Sequence, residues 1–129
     1  MNQTTWTISE LADEFQLTAR TLRFYEQHDI LSPERDGQKR IYSQRDRTRL
    51  KLALRGKRLG FSLSEICSLI NMYEGPGSTE PQLNTYITVL NKHKAQLLQQ
   101  KADIEQVLAE LTTQEEHCQS LLNALHPKK

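Results

Sequence analysis

The sequence predicts a mainly α-helical chain, a set of short amino-terminal helices followed by one long helix, and three observations carry that expectation. At four places Ser or Thr stands three residues ahead of an acid or amide, the pattern that opens helices. A basic stretch holding turn residues breaks the helical pattern within the first half. An uninterrupted apolar heptad fills much of the second half.

"TISE" at 7–10 starts a helix over about 8–14, and a tight turn at "FQL" leads to a second over about 18–28, with Thr18 as its N-cap. Two helices joined this tightly have helix-turn-helix spacing, which bundles that bind nothing share. In "SPERDGQKRIYS", Pro33 and Asp36-Gly37 are turn signals and Lys39-Arg40-Ile41-Tyr42 alternates enough for a short strand. A small basic wing, hairpin or extended loop, is therefore expected. "SQRD" at 43–46 opens a basic helix to about Leu59, "GFS" breaks it, and "SLSE" at 62–65 opens a short apolar helix through Met72. "YEGPGSTEP", with two Gly and two Pro, is the clear boundary. The expected organisation is a winged helix-turn-helix domain over 1–74, a linker over 75–81, a dimerisation helix over 82–113 and a tail with a short helix over 114–129.

"TEPQ" at 79–82 opens the long helix, with Pro81 in its first turn. Its seam reads Leu83, Ile87, Leu90, Lys94, Leu97, Lys101, Ile104, Leu108 and Leu111, spaced alternately by four and three, and seven of the nine are apolar. Such a helix runs to about 45 Å, more than a small amino-terminal bundle can cover. The apolar seam residues Leu83, Ile87, Leu90, Leu97, Ile104, Leu108 and Leu111 therefore need a partner. The seam's polarity is palindromic about Leu97, which points to an antiparallel homodimer.

Charge separates the halves. Residues 1–60 carry twelve Lys and Arg against eight Asp and Glu, whereas residues 61–129 carry five against eight. Within positions 35–58 ten basic residues meet only Asp36 and Asp46, the footprint of a polyanion binder or of a solvated helix face. Cys67 and Cys118 lie far apart without a CxxC, so neither a disulfide framework nor a zinc module is implied, and Cys67 beside Ile66 and Ile70 reads as core. There is no membrane-span or signal-peptide pattern, and the expectation is a cytoplasmic protein that keeps its thiols reduced. His28, His93, His117 and His126 are scattered, with no nucleophile, phosphate loop or acid pair, so an enzyme is not expected.

On a helical wheel starting at Thr18, Leu22 faces the core and Tyr25 lies at its edge, while Arg20, Arg23, Phe24 and Gln27 fall opposite. Arg can fork onto guanine or phosphate, Gln can read adenine, and a Tyr hydroxyl at a core edge can donate to phosphate. A surface helix with solvated arginines and half-buried rings explains the same wheel.

"TISELADEFQLTARTLRFYEQHDILSP", followed by "RIYSQRDRTRLKLALRGKRLGFSLSEI", resembles the amino-terminal region of the MerR family of bacterial transcription regulators. The resemblance covers residues 7–73 closely and rests on an "RFYE" recognition helix, a wing ending in "R-x-Y" and "LGFSLxEI", in that order. Within the family, "YSQRDRTRLKLALRGKRLGFSL" is similar to the subgroup controlling leucine and isovalerate breakdown. It implies a homodimer that binds double-stranded DNA at a palindromic promoter element, distorts it, and acts on RNA polymerase in response to an unknown small-molecule effector. Carried over by position, Thr18, Arg20, Arg23 and Tyr25 belong to the recognition helix, Lys39, Arg40 and Tyr42 to the wing, and Lys57 to a backbone contact. Lys39 departs from the Tyr of many relatives, and Phe24 is assigned to helix packing.

No cofactor is expected, and two cysteines are too few for the four-cysteine iron–sulfur cluster of redox-sensing relatives. Metal-sensing relatives place cysteines around the long helix; here its start has Ser78 and Thr79, and its end offers His117, Cys118 and His126 in a spacing that matches no established site. Relatives with drug-binding domains are longer, so an effector pocket is expected between subunits or between the coiled coil and the DNA-binding lobes. Two alternatives stand beside an effector-controlled regulator: a metal-responsive regulator using His117 and Cys118, and an architectural coiled-coil protein that binds DNA without sequence preference.

Overall fold

The computed structural model describes residues 3–75 and 79–127. Helix starts follow the capping chemistry. Thr7 caps α1 (Ile8–Phe15), Ser43 caps α3 (Gln44–Arg58) and Ser62 caps α4 (Leu63–Glu74), each in a reciprocal box with Glu10, Asp46 or Glu65. Thr18 caps α2 (Ala19–Gln27) by accepting from Thr21 N, and Thr79 and Gln82 form the corresponding pair at α5 (Glu80–Leu125). Each box satisfies backbone N–H groups that a helix start leaves orphaned.

The wing is a hairpin. β2 (Glu34–Asp36) and β3 (Lys39–Ser43) pair antiparallel with Asp36 opposite Lys39, and Gly37 takes the positive φ of 66° that the two-residue connection needs. A third strand, β1 (Thr5–Thr7), pairs with the other edge of β3 and sets Trp6 opposite Tyr42. The order β1-β3-β2 fastens the wing to the start of α1. No strand is expected from sequence before α1, because three residues are too few for an alternating pattern to register.

The chain divides into two units, Met1–Ile87 and Thr88–Lys129. In the first, Leu11, Leu22, Ile30, Leu31, Tyr42, Leu50 and Ile70 are fully buried. Asp46, also buried, accepts from Ser43 N at 3.0 Å and Ser32 N at 2.9 Å, so one carboxylate caps α3 and anchors the chain leaving α2. Gly56 lets α3 and α4 approach: a Cβ there would stand 2.7 Å from Ile66 Cγ1. Phe61, after α3, meets the Tyr86 ring edge-to-face at 6.2 Å.

Helix α5 has no buried residue, and its seam is exposed throughout, from 36% at Leu90 to 60% at Leu111. Where a separate short tail helix is expected from residue 114, α5 instead continues unbroken to Leu125. The segment 112–126 holds neither Gly nor Pro, and Pro127 is the first breaker after Pro81. Among the described residues no helix is long and apolar enough to cross a membrane. Residues 76–78 of the expected linker, Ser78 among them, lie outside the described residues.

Candidate nucleic-acid interface

Helices α1 and α2 meet through a turn in which Gln16 adopts a left-handed conformation (φ 55°) and Leu17 N donates to Ala12 O at 2.8 Å. The turn projects α2 with Arg20, Arg23, Phe24 and Gln27 exposed, while Leu22 and Tyr25 are buried, 0% and 3% exposed. Phe24, expected to pack, is 43% exposed, its ring 4.5 Å from His28 and 5.7 Å from Tyr25. Tyr25, expected to face DNA, is the ring that packs. It lies on the Leu22 side of the helix, and burial pushes its hydroxyl's pKa up, so it stays neutral.

Three side chains absent from the sequence-based set hold α2 in place. Glu26 accepts from Arg40 Nε at 2.7 Å and Arg35 Nη2 at 3.5 Å, tying the recognition helix to both wing strands. Arg49 of α3 donates to Ile30 O at 2.6 Å and Asp29 O at 3.0 Å, where the chain leaves α2. The same guanidinium pairs with Glu74 at the end of α4, which Arg45 also grips at 3.0 and 3.1 Å. Partial burial raises the Glu74 pKa, but the Arg45 hydrogen bond and the charges of Arg49 and Arg45 outweigh it and hold the carboxyl below its ordinary value.

These pairs resolve the twelve basic residues of positions 1–60 into two populations. Arg35, Arg40, Arg45, Arg47 and Arg49 are spent internally; Arg47 pairs with Glu14 while its guanidinium lies 5.4 Å from the Trp6 ring centre and 5.7 Å from that of Phe15. Arg20, Arg23, Lys39, Lys51, Arg55, Lys57 and Arg58 form no ion pair among the described residues, and all are exposed. Of the expected contacts, then, Thr18, Arg20, Arg23, Lys39 and Lys57 are exposed, whereas Arg40 is half-buried on Glu26 and Tyr42 is fully buried. The Tyr42 hydroxyl is enclosed and has no hydrogen-bond partner among the described residues, and burial with the nearby Glu26 carboxylate raises its pKa. Arg40 and Tyr42 thus support the wing from within, because Trp6 of β1 and Tyr42 of β3, paired across the two strands, turn the same sheet face into the core.

Arg20 and Lys57 line one cleft of about 380 Å³ with Thr21, Phe24, Tyr25, Phe61, Leu63 and Ile66. At the far end of the chain, His117 and Cys118 are neighbours on an unbroken helix, so their side chains diverge by about 100°, and His126 lies about half a turn further round from His117. Among the described residues no three His, Cys, Asp or Glu side chains gather into a metal-binding group.

A helix presented by a tight turn, braced by a hairpin wing and bearing unpaired cations defines a winged helix-turn-helix module for nucleic acid. The family comparisons agree: residues 6–72 match the model of the MerR HTH family regulatory proteins and residues 47–114 that of the MerR DNA-binding region. The chain belongs to the MerR family and is a DNA-binding transcriptional regulator. It is 35% identical over 112 residues to the mercuric resistance operon regulatory protein of Serratia marcescens, covering 81% of this chain and 73% of that one. A MerR-family regulator from Bacillus cereus superposes with a TM-score of 0.68 at 26% identity, over 89% of this chain and 83% of the other. HiNmlR, a MerR-family regulator lacking the sensor domain and solved bound to promoter DNA, shares the fold with a TM-score of 0.58 at 22% identity, over 81% of this chain and 79% of the other.

Proposed function

We propose that this regulator binds a palindromic operator as a homodimer joined by antiparallel α5 helices, distorts the promoter for RNA polymerase, and answers to a small-molecule effector. The observation that carries this reading is the division of the basic residues: those that fix the recognition helix and wing are neutralised within the fold, and those left unpaired include Arg20, Arg23, Lys39 and Lys57. Phosphate contacts from such cations position a protein on DNA, and a helix in the major groove reads the bases. The exposed seam of α5 supports the dimer, since an apolar stripe of that length stays in water only at a cost. The likeness of "YSQRDRTRLKLALRGKRLGFSL" to regulators of leucine and isovalerate breakdown supports branched-chain amino-acid catabolism as the controlled process.

Footprinting the purified protein on DNA upstream of its own coding sequence tests the reading. Protection of one inverted repeat with hyper-reactive central bases is expected; uniform, salt-sensitive protection without a preferred site would leave only the architectural alternative. A metal-responsive reading is favoured by the Serratia relative, a mercuric resistance regulator. In this chain His117 and Cys118 diverge by about 100° on α5 and His126 follows its last residue, so the three do not converge on one ion within the chain as described. Equilibrium dialysis of tag-free protein against Hg(II) and Zn(II) decides that reading.

A further inference from the structure

We propose that the cleft between α2, the end of α3 and the start of α4 binds a small amphipathic organic acid, an aryl- or alkyl-carboxylate, whose occupancy competes with DNA. The cleft, about 380 Å³, falls within the size range of small-ligand pockets. Its lining is divided in kind. Arg20 and Lys57 supply the charge, and neither has an ion-pair partner among the described residues. The remainder is mostly hydrocarbon: Tyr25, Phe61 and Ile66 are only 3%, 7% and 3% exposed, while Phe24 offers a ring 43% exposed. A DNA phosphodiester accounts for the two cations and leaves the apolar part of the cleft without an occupant. A carboxylate carrying an aromatic or aliphatic body satisfies both: Arg20 can fork onto the carboxylate, Lys57 adds a point charge, and the rings cover the body.

The consequence for DNA binding rests on the proposed operator-binding role of Arg20 and Lys57, since a ligand that takes these cations withholds them from phosphate. Ligand binding itself is measured without DNA, so the failure of either idea is visible separately. The full chain is titrated calorimetrically with 3-phenylpropionate, hexanoate, 3-phenylpropionamide and inorganic phosphate, and operator affinity is then measured with and without each. Saturable binding of at least one acid at one per chain is expected, with the amide at least tenfold weaker and operator affinity falling as the acid is added. Leu63→Trp, which fills the apolar part of the cleft, is expected to abolish acid binding while operator affinity measured without ligand stays within twofold of wild type. The proposal is overturned if neither acid saturates in the millimolar range, if the amide binds as well as the acid, if inorganic phosphate displaces DNA as effectively, or if Leu63→Trp binds the acid normally. Loss of operator binding by wild type without any ligand would instead sink the operator-binding role alone.

Discussion

Arg49 of α3 and Glu74 of α4 form a hydrogen-bonded ion pair, and the same guanidinium holds the carbonyls of Ile30 and Asp29 where the chain leaves the recognition helix. The end of α4 and the end of α2 are therefore fixed through one side chain. Because Arg45 joins Glu74 as well, Glu74→Gln leaves two cations facing a neutral amide. A loss of roughly 1–3 kcal/mol in urea unfolding at neutral pH is expected. The pH dependence has a definite sign. The folded pKa lies below the ordinary 4.5, so the carboxylate's contribution is complete above that value and disappears as pH falls through the lower folded pKa. Wild type should lose stability in that acid range and Glu74→Gln less so; identical acid limbs would show that the pair contributes nothing.

Gly56→Ala is expected to destabilise the amino-terminal unit by about 1–3 kcal/mol. Within an exposed helix the same change would stabilise by roughly 0.5–1 kcal/mol, so the sign of the effect is diagnostic. Here the new Cβ meets Ile66 Cγ1 at 2.7 Å, and Ile66, 97% buried, has nowhere to retreat. A thermal midpoint raised above wild type would mean that α3 and α4 are not packed this closely.

Much of this fold can be read from sequence because its local signals agree. Thr7, Ser43 and Ser62 announce helix starts through chemistry confined to four residues, and Asp36-Gly37 announces the wing turn. What escapes depends on distant partners. Arg47 and Arg49 look like a solvated basic face until Glu14, 33 residues away, and Glu74, 25 away, neutralise them. The two rings of α2 teach a different lesson. Helical periodicity alone puts Phe24 with the arginines, where it is found, whereas the family resemblance assigns Phe24 to packing and Tyr25 to the DNA side. The tail is missed for a third reason: the seam is followed only to Leu111, yet no Gly or Pro between there and Pro127 forbids the helix that follows.

Gln16 carries a left-handed backbone at the helix-turn-helix corner, a conformation that costs a side chain roughly 1–2 kcal/mol and glycine little. Gln16→Gly should raise unfolding free energy by about 0.5–1 kcal/mol after the entropy of the freer unfolded chain is subtracted. Gln16→Val should lower it, since branching at Cβ aggravates the same clash. Equal stabilities for the two variants, measured by chemical denaturation, would contradict the strained turn.

The two classes of exposed cation predict different binding defects. Arg23 projects from α2 and should be read as a base or groove contact, so Arg23→Ala is expected to remove preference for the operator over random DNA, a loss of about 1–3 kcal/mol. Lys57 stands in the last turn of α3, and Lys57→Ala should weaken both DNAs alike while reducing the salt slope by about one. Fluorescence anisotropy across a salt series separates them. A uniform loss in Arg23→Ala, or selective loss in Lys57→Ala, would exchange the two roles.

Continuation of α5 to Leu125 changes which dimer register is most favourable. The spacing by four and three extends past Leu111 to Glu115, Cys118, Leu122 and Leu125, which moves the midpoint of the apolar seam from Leu97 to Ile104. An antiparallel pair centred on Leu97 sets Lys94 against Lys101 of the second copy and leaves Leu122 and Leu125, 51% and 72% exposed, beyond the overlap. Centring on Ile104 sets Lys94 against Glu115 and matches Leu83, Ile87 and Leu90 with Leu125, Leu122 and Cys118 of the second copy. Like charges facing across a seam are unfavourable and the longer overlap buries more hydrocarbon, so the Ile104-centred register is expected. A cysteine at the centre of an antiparallel pair faces its own copy, while one seven residues away is separated from its copy by about 21 Å, too far for a disulfide. In a chain carrying Cys67→Ser and Cys118→Ser, Ile104→Cys should therefore oxidise to a covalent dimer and Leu97→Cys should not. The reverse result would restore the palindrome about Leu97, and oxidation of neither, with a monomer in sedimentation, would refute antiparallel pairing of α5 altogether.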